Sequence, residues 1–563
     1  MIAILLFDVT IKFCRGDKTT LEPGLLLKRS TLSKNVQFKY ILKTHQAISD
    51  SIHGDFTRCM STQFRDYTRS FEIIFTSDSP LYSSILQSTL QNMRWLNSST
   101  STPLLIITPF HESEIQAALV CSKKLGLQIR VRSGGHDYEG LSYSCKTPFI
   151  IIDLTNLRAI EINVEEETAW VQSGATLGEL YYAIGKKSSI HAFPAGLCPT
   201  VGVGGHFSGG GLGTLMRKYG LAADNVLDAY LMDVNGRILD RKAMGENLFW
   251  AIRGGGGASF GIILSWKIRL VRVPQTVTAF TISKTIEQGA TKLVHRWQYI
   301  ADKLPEDLFI RVIIQDVQGS GHRNNKTIQA SFNSLFLGEI DRLIPFMNES
   351  FPELGLLAED CIQMSWVEST LYFAGFQQGQ PLEVLLDKTQ LYKSSFKAKS
   401  DFVREPIPEE GLEGIWKMFL AEEMVFMIMD PFGGKMNTIP VSSVPFPHRK
   451  ENLYNIQYIV KWQVNDVKAS HKHIHWIRML YEYMSPYVSK GPRAAYLNYR
   501  DLDLGTNSQG STSYAEASKW GKKYFKGNFK RLARVKSMTD PHNFFRNEQS
   551  IPPLPTPGKK KYK

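Results

Sequence analysis

No stretch of the 563 residues reaches the roughly 18 apolar positions that a membrane-crossing helix requires, so no membrane partner is expected. The apolar run at residues 1–7 stops at Asp8 and has no basic residue before it, so a clear signal peptide is missing. Basic and aromatic residues do not interleave into a recognition stripe, which disfavours nucleic acid despite a net charge of +13. That charge reads as a solvated basic surface, with binding to an acidic polysaccharide matrix as a side property. Glycine clusters are frequent, yet none fits G-x-G-x-x-G. Gly202 and Gly204 lead to Phe207, and Gly254 and Gly256 lead to Ser259, so a nicotinamide site of the Rossmann type is disfavoured. No residue set is assigned to a metal. Cysteine occurs six times, at Cys14, Cys59, Cys121, Cys145, Cys198 and Cys361.

What is there points to a folded chain of more than one core. Hydrophobic content of 43% and charged content of 21% are ordinary for globular proteins, and the length exceeds what one core organises. Two glycine-dense loops stand out in residues 131–213. One reads Val131-Arg-Ser-Gly-Gly-His-Asp137, the other Cys198-Pro-Thr-Val-Gly-Val-Gly-Gly-His206. Glycine lets backbone N–H groups approach a ligand, and successive N–H groups in such turns make a concave anion site. The pattern suggests a phosphorylated cofactor, with a nucleophile in each loop, His136 and Cys198, placed to bond to it.

Elsewhere the periodicity predicts a helical pattern through Ile85, Leu86, Leu90 and Met93 and a strand at 104–107. A helix at 112–125 closed by Gly126 follows, then strands at 128–132, 149–153 and 168–172. Thr176 and Glu179 form a capping box, opening a helix that Gly185 is placed to end. A hairpin turns at Asn235-Gly236. Alternating strands at 308–314, 330–337 and 455–464 suggest an antiparallel sheet, and residues 514–545 read as largely helical.

The two loops, with their motifs in this order, resemble the plant berberine-bridge-enzyme-like oxidases, of the larger flavoprotein family typified by vanillyl-alcohol oxidase. The resemblance runs from about Asp55 to about Pro555. It implies an α+β fold: a two-lobed FAD-binding domain at 56–274 and a substrate domain at 275–490, an antiparallel sheet covered by helices. A C-terminal segment at 491–556 returns to the FAD domain. Residues 1–55 do not match the family and are an unassigned, atypical N-terminus; 557–563 form a basic tail. The resemblance further implies FAD attached bicovalently, His136 to the 8α-methyl carbon and Cys198 to the adjacent benzenoid carbon. Arg132, Ser133, Gly134 and Gly135 would face the pyrophosphate from one side, and Thr200, Gly202, Gly204 and Gly205 from the other; Val201 and His206 would also contact the cofactor. Cys59 and Cys121 would form the family's disulfide. Sequons at Asn97, Asn325 and Asn348 suit an exported glycoprotein, in the cell wall, apoplast or vacuole. A monomer that associates with cell-wall polysaccharide is the expected state.

Oxidation of an alcohol or amine needs a group that takes a proton as hydride leaves. Relatives use a carboxylate on the strand matching 453–458, but here the alternating positions are Asn455 and Gln457, and neither is a base. The resemblance therefore points to Tyr499 as the catalytic tyrosine and to Arg311 as the cation that steadies its phenolate; Gln457 would orient Tyr138 or the substrate. Leu212 replaces an aromatic residue found in many relatives. In the family a small valine at the position of Val201 leaves room for O₂, so the resemblance implies an oxidase releasing H₂O₂. The alternatives are a dehydrogenase with another acceptor and a catalytically idle cell-wall flavoprotein. The substrate class is a carbohydrate, a monolignol or an alkaloid.

Overall fold

A computed structural model describes residues 52–63, 72–95, 102–319, 326–389, 393–463, 467–508 and 513–555. Most of the atypical N-terminal segment, the sequons at Asn97 and Asn325, and the basic tail lie outside these residues. Among the described residues no helix is long and apolar enough to cross a membrane.

Three larger sheets carry the chain. The first contains β1 (Ile74–Thr76), β2 (Leu105–Ile107), β3 (Gln128–Arg132) and β4 (Phe149–Asp153), in the order β1-β2-β4-β3. β2 and β3 run parallel to β4, and β4 is buried on both faces, which is why it reads as an unbroken apolar run. The helix Glu112–Leu125 connects β2 to β3. The Glu114 carboxylate accepts the N–H groups of Phe110 and His111 at its start, and Gly126, at φ +69°, closes its end. Its buried face carries Cys121, disulfide-bonded to Cys59 in the helical stretch 52–63.

The second sheet uses β5 (Ile160–Asn163), β6 (Thr168–Gln172), β8 (Val226–Met232), β9 (Ile238–Leu239) and β10 (Ile262–Arg269), in the order β5-β6-β10-β8-β9. A short β7 (His191–Ala192) pairs with β11 (Val271–Arg272). The capping box at Thr176 and Glu179 forms. Gly185, however, does not end its helix, which continues to Lys187. A β-carbon at Gly185 would lie 2.8 Å from Val367 Cγ2, so the glycine serves a close helix contact instead. The helix expected to reach Met93 also differs: it covers only Tyr82–Ser88. Tertiary bonds take over, with Asn92 Nδ2 donating to the carbonyls of Tyr138 and Phe396, each at 2.9 Å.

The third sheet comprises β12 (Val277–Thr285), β13 (Leu308–Gln318), β14 (Lys326–Phe336), β15 (Cys361–Met364), β16 (Ser395–Val403), β17 (Val425–Pro431) and β18 (Tyr454–Trp462). It is antiparallel throughout, in the order β15-β12-β14-β13-β17-β18-β16. Side chains alternate between its faces. Ile310, Val312, Met427, Met429, Ile456 and Tyr458 point to one side, into a core shared with Trp297, Trp416 and Trp476 of the covering helices. The intervening residues of β13, β17 and β18 are left for the other face. The C-terminal helices Tyr514–Phe525 and Asn528–Thr539 pack through Trp520, Phe529 and Leu532 onto the core of the second sheet. Beyond them Phe545 enters the core of the first sheet, and Glu548 pairs with Arg130 at 2.9 Å.

Candidate active site

The two glycine loops meet backbone to backbone. A β-carbon at Gly134 would sit 2.2 Å from Gly202 N, and one at Gly202 would sit 2.1 Å from Ser133 Oγ, so neither position admits a side chain. Ser133 Oγ donates to the Ser173 carbonyl at 2.5 Å and fixes the first loop to the end of β6. Both loops line one cavity of about 570 Å³, whose far wall is the face of the third sheet opposite its covering helices.

His136 and Cys198 converge on that cavity. His136 Nε2 lies 2.9 Å from Thr200 Oγ1, and Cys198 Sγ lies 3.5 Å from the same oxygen. Burial pushes the His136 imidazole down to about 4, so it is neutral and nucleophilic at pH 7. His206 is likewise held down to about 4, by burial and then by His136, and its Nε2 accepts the Gly196 N–H at 2.9 Å. Thr200 is therefore a partner of the two nucleophiles and does not itself line the cavity. The Arg132 side chain is turned away: it is fully buried, bonded to Asp153 at 2.5 Å and to the carbonyls of Ile85 and Leu86. Ser133, Gly134, Gly135, Val201, Gly204 and Gly205 do line the cavity.

The chemistry-bearing side chains face these loops. Gln457 Nε2 donates to Tyr138 Oη at 2.5 Å. Tyr138 and Tyr499 lie ring to ring, centroids 5.8 Å apart. Both phenols are held above the ordinary tyrosine range, chiefly by burial; Asp430 adds to the effect at Tyr499. Asp430 is the residue that sequence reading missed. It sits on β17 between the expected β13 and β18 positions and forms an ion pair with Arg311 at 2.6 Å. Arg311 is thus present where the resemblance puts it, but a carboxylate already takes its charge. No local pattern marked it: Asp430 and Ile428, two residues apart on β17, line the cavity only because β17 lies beside β13. Tyr496 Oη accepts the N–H groups of Gly211 and Leu212, and Leu212 fills the aromatic slot as a buried apolar wall beside Phe309.

A flavin dinucleotide fits the residues present. Gly134 and Gly135 N–H groups meet no acceptor among the described residues, and the Ser173 hydroxyl on the cavity wall is likewise without a partner. These are open donors of the kind a pyrophosphate takes. Among the described residues no cluster of metal-ligating side chains occurs.

Comparison with known proteins agrees with this geometry. Residues 103–241 match the family model described as FAD binding domain, and residues 495–552 match the one described as berberine and berberine like. Berberine bridge enzyme-like 22 of Arabidopsis thaliana is 55% identical over 520 residues, covering 91% of this chain and 97% of that protein. Tetrahydroberberine oxidase of Berberis wilsoniae is 52% identical over 518 residues, covering 91% and 96%. The solved structure of BBE-like #28 from Arabidopsis thaliana superposes with a TM-score of 0.84 at 49% identity, covering 89% of this chain and all of that one.

Proposed function

The chain belongs to the berberine-bridge-enzyme-like family of FAD-linked oxidoreductases, and from that premise we propose an oxidase whose flavin is bonded to both His136 and Cys198. Its substrate is a hydroxylated or amine small molecule, a monolignol, an alkaloid or a carbohydrate, and its electron acceptor is O₂, giving H₂O₂. The observation that carries this reading is that His136 and Cys198 share Thr200 Oγ1 as a partner and both line the cavity that Tyr138 and Tyr499 also line. Bound flavin supplies the two-electron acceptor.

The chain's own residues do the rest. The loops at 133–135 and 201–205 hold the phosphates. Gln457 fixes the Tyr138 hydroxyl by donating to it, which leaves the Tyr138 proton for the substrate oxygen or nitrogen. Tyr499 orients the substrate from the opposite loop. Arg311 occupies Asp430 Oδ1 alone, so Oδ2 is the carboxylate oxygen open to the substrate's proton. Val201, on the cavity wall, leaves space for O₂. The Cys59–Cys121 disulfide and the exposed Asn348 suit an exported monomer.

Acid precipitation tests the attachment: the pellet stays yellow, and a colourless pellet with a yellow supernatant refutes covalent attachment at either residue. Anaerobic titration with monolignols, benzylisoquinolines and sugars, followed by admission of air, tests the rest. A flavin bleached by none of them, or one that stays reduced in air, rejects the oxidase.

A further inference from the structure

Tyr138 and Tyr499 come from opposite ends of the chain, yet their ring planes agree within 1°. One aromatic contact is too weak to hold two loops in such a register. What holds them lies a residue or two outward. Asp137, just before Tyr138, accepts from the Nε of Arg500, just after Tyr499, at 2.9 Å. On the other side the link runs through a third residue. Lys397 Nζ donates to Glu139, next to Tyr138, and also to Asp501 Oδ1 at 2.7 Å.

Neither carboxylate is free to swing. Arg94 holds the second oxygen of Glu139 at 2.5 Å, and Lys399 holds the second oxygen of Asp501 at 2.7 Å. Lys397 is only 3% exposed and belongs to β16, an edge strand of the third sheet. The segment 496–503 passes around that edge. Tyr496 N bonds Ser400 Oγ on the cavity-facing side, while Asp501 and Asp503 meet Lys397 and Lys399, whose register partners face the helices. Asn92 also ties the Tyr138 carbonyl to the Phe396 carbonyl, one residue before Lys397.

Resting on the function proposed above, we infer that Lys397 is a positioning residue for the reaction: by clamping Glu139 and Asp501 it sets the Tyr138–Tyr499 ring pair against the substrate. It does not line the cavity, and neither do the two carboxylates it holds. Its effect passes through the tyrosines, which lie within two residues of the clamped carboxylates and line the cavity; Arg500, between Tyr499 and Asp501, lines it too but is tied to Asp137.

The test is a double-substitution cycle read in anaerobic flavin reduction. Lys397→Met lowers the reduction rate constant by about 10- to 100-fold, the scale of an ångström-sized misplacement, with little change in substrate Kd. Lys397→Arg recovers most of it. In a background carrying both Tyr138→Phe and Tyr499→Phe the same Lys397→Met change costs almost nothing further, because both hydroxyls it positions are gone. Losses that multiply across the cycle overturn the inference, as does a Lys397→Met rate equal to wild type. A crystal structure of Lys397→Met is the readout that needs no reaction: the rings leave their parallel arrangement, and rings still parallel overturn it. If no substrate bleaches the wild-type flavin, the proposed function fails, while that structure still decides whether Lys397 sets the pair. Should Lys397→Met not fold, Glu139→Gln, equal in size, carries the same cycle and the same structural comparison.

Discussion

Arg311 Nε donates to Asp430 Oδ1 at 2.7 Å, and Arg311 Nη2 lies 2.6 Å from the same oxygen in an ion pair. A guanidinium so engaged holds its carboxylate in one orientation, and the carboxylate offsets much of its charge. Two acceptors for the substrate proton are then in play, Asp430 Oδ2 and a Tyr499 phenolate, and their pH dependences differ. Burial and the Asp430 charge both raise Tyr499, so its phenolate becomes available only at high pH. Asp430→Asn removes that charge and releases Arg311, and both changes lower the Tyr499 pKa. At neutral pH the variant is expected to reduce its flavin about 10²- to 10⁴-fold more slowly, the usual loss of a general base. The deficit shrinks as pH rises. Stopped-flow reduction across the pH range measures both; a variant with the wild-type rate and profile excludes Asp430 from the proton path.

Thr200 Oγ1 is shared between His136 and Cys198. Thr200→Val removes the hydroxyl at nearly constant volume. The expected result is incomplete flavin attachment, seen as colour in the acid supernatant and as unmodified His136 or Cys198 peptides by mass spectrometry. Full attachment in the variant means the hydroxyl plays no part in forming the bonds.

The buried charge cluster predicts acid sensitivity. Burial alone raises Asp501 and Asp503, but Lys397 and Lys399 at Asp501, and Arg478 followed by the same two lysines at Asp503, outweigh it and hold both below the usual carboxylate range. A carboxyl depressed in the folded state contributes stability above its unfolded pKa, ~4, and loses it as pH falls further. The melting temperature should therefore drop steeply below about pH 4. In Lys397→Met that acid slope flattens, because the attraction that depressed both groups is weakened. A slope unchanged by the substitution assigns the acid loss to other carboxylates.

Gly185→Ala sets two effects against each other. Alanine favours a helix interior over glycine by about 1 kcal/mol. The new methyl group would lie 2.8 Å from Val367 Cγ2 and 2.9 Å from Cγ1, and both belong to a β-branched side chain with little freedom to yield. Overpacking of this kind costs about 1–3 kcal/mol, so the variant should be less stable on balance. Urea denaturation decides the sign; a stabilised variant shows that the helix Trp366–Ala374 gives way.

Reducing the Cys59–Cys121 disulfide should cost ~4 kcal/mol, from the entropy of the loop it closes in the unfolded chain. The two cysteines are separated by 62 residues. A lowered melting temperature with unchanged flavin absorbance is expected, because both cysteines belong to the core of the first sheet and do not line the cavity.

Much of this was legible in the sequence, and the pattern of misses is physical. The helix Glu112–Leu125 was readable because its charges, periodicity and terminal glycine agree. The capping box was readable because Thr176 and Glu179 act within one turn. His136, Cys198 and Gln457 came from motifs and family likeness. Gly185 misled because a glycine near a helix end and a glycine under a neighbouring helix look alike until Val367 is in place. The helix after Tyr82 stopped early because Asn92 is claimed by β16, 304 residues away in sequence. Asp430 was missed because its meaning depends on which strand lies beside β13, and strand order is not written in local pattern.

The strict alternation along β13, β17 and β18 has a consequence for how this protein can change. Odd and even positions of the same strand answer to different demands: one set keeps the fold intact, and the set between them meets whatever enters from solvent. Replacing Phe309, Ile428 or Ile459 alters the company a guest molecule keeps, while Ile310, Met427 and Val460 stay seated among their helices. A sheet so divided lets new chemistry be tried one side chain at a time without gambling the scaffold, and selection or a protein engineer can work the same rows.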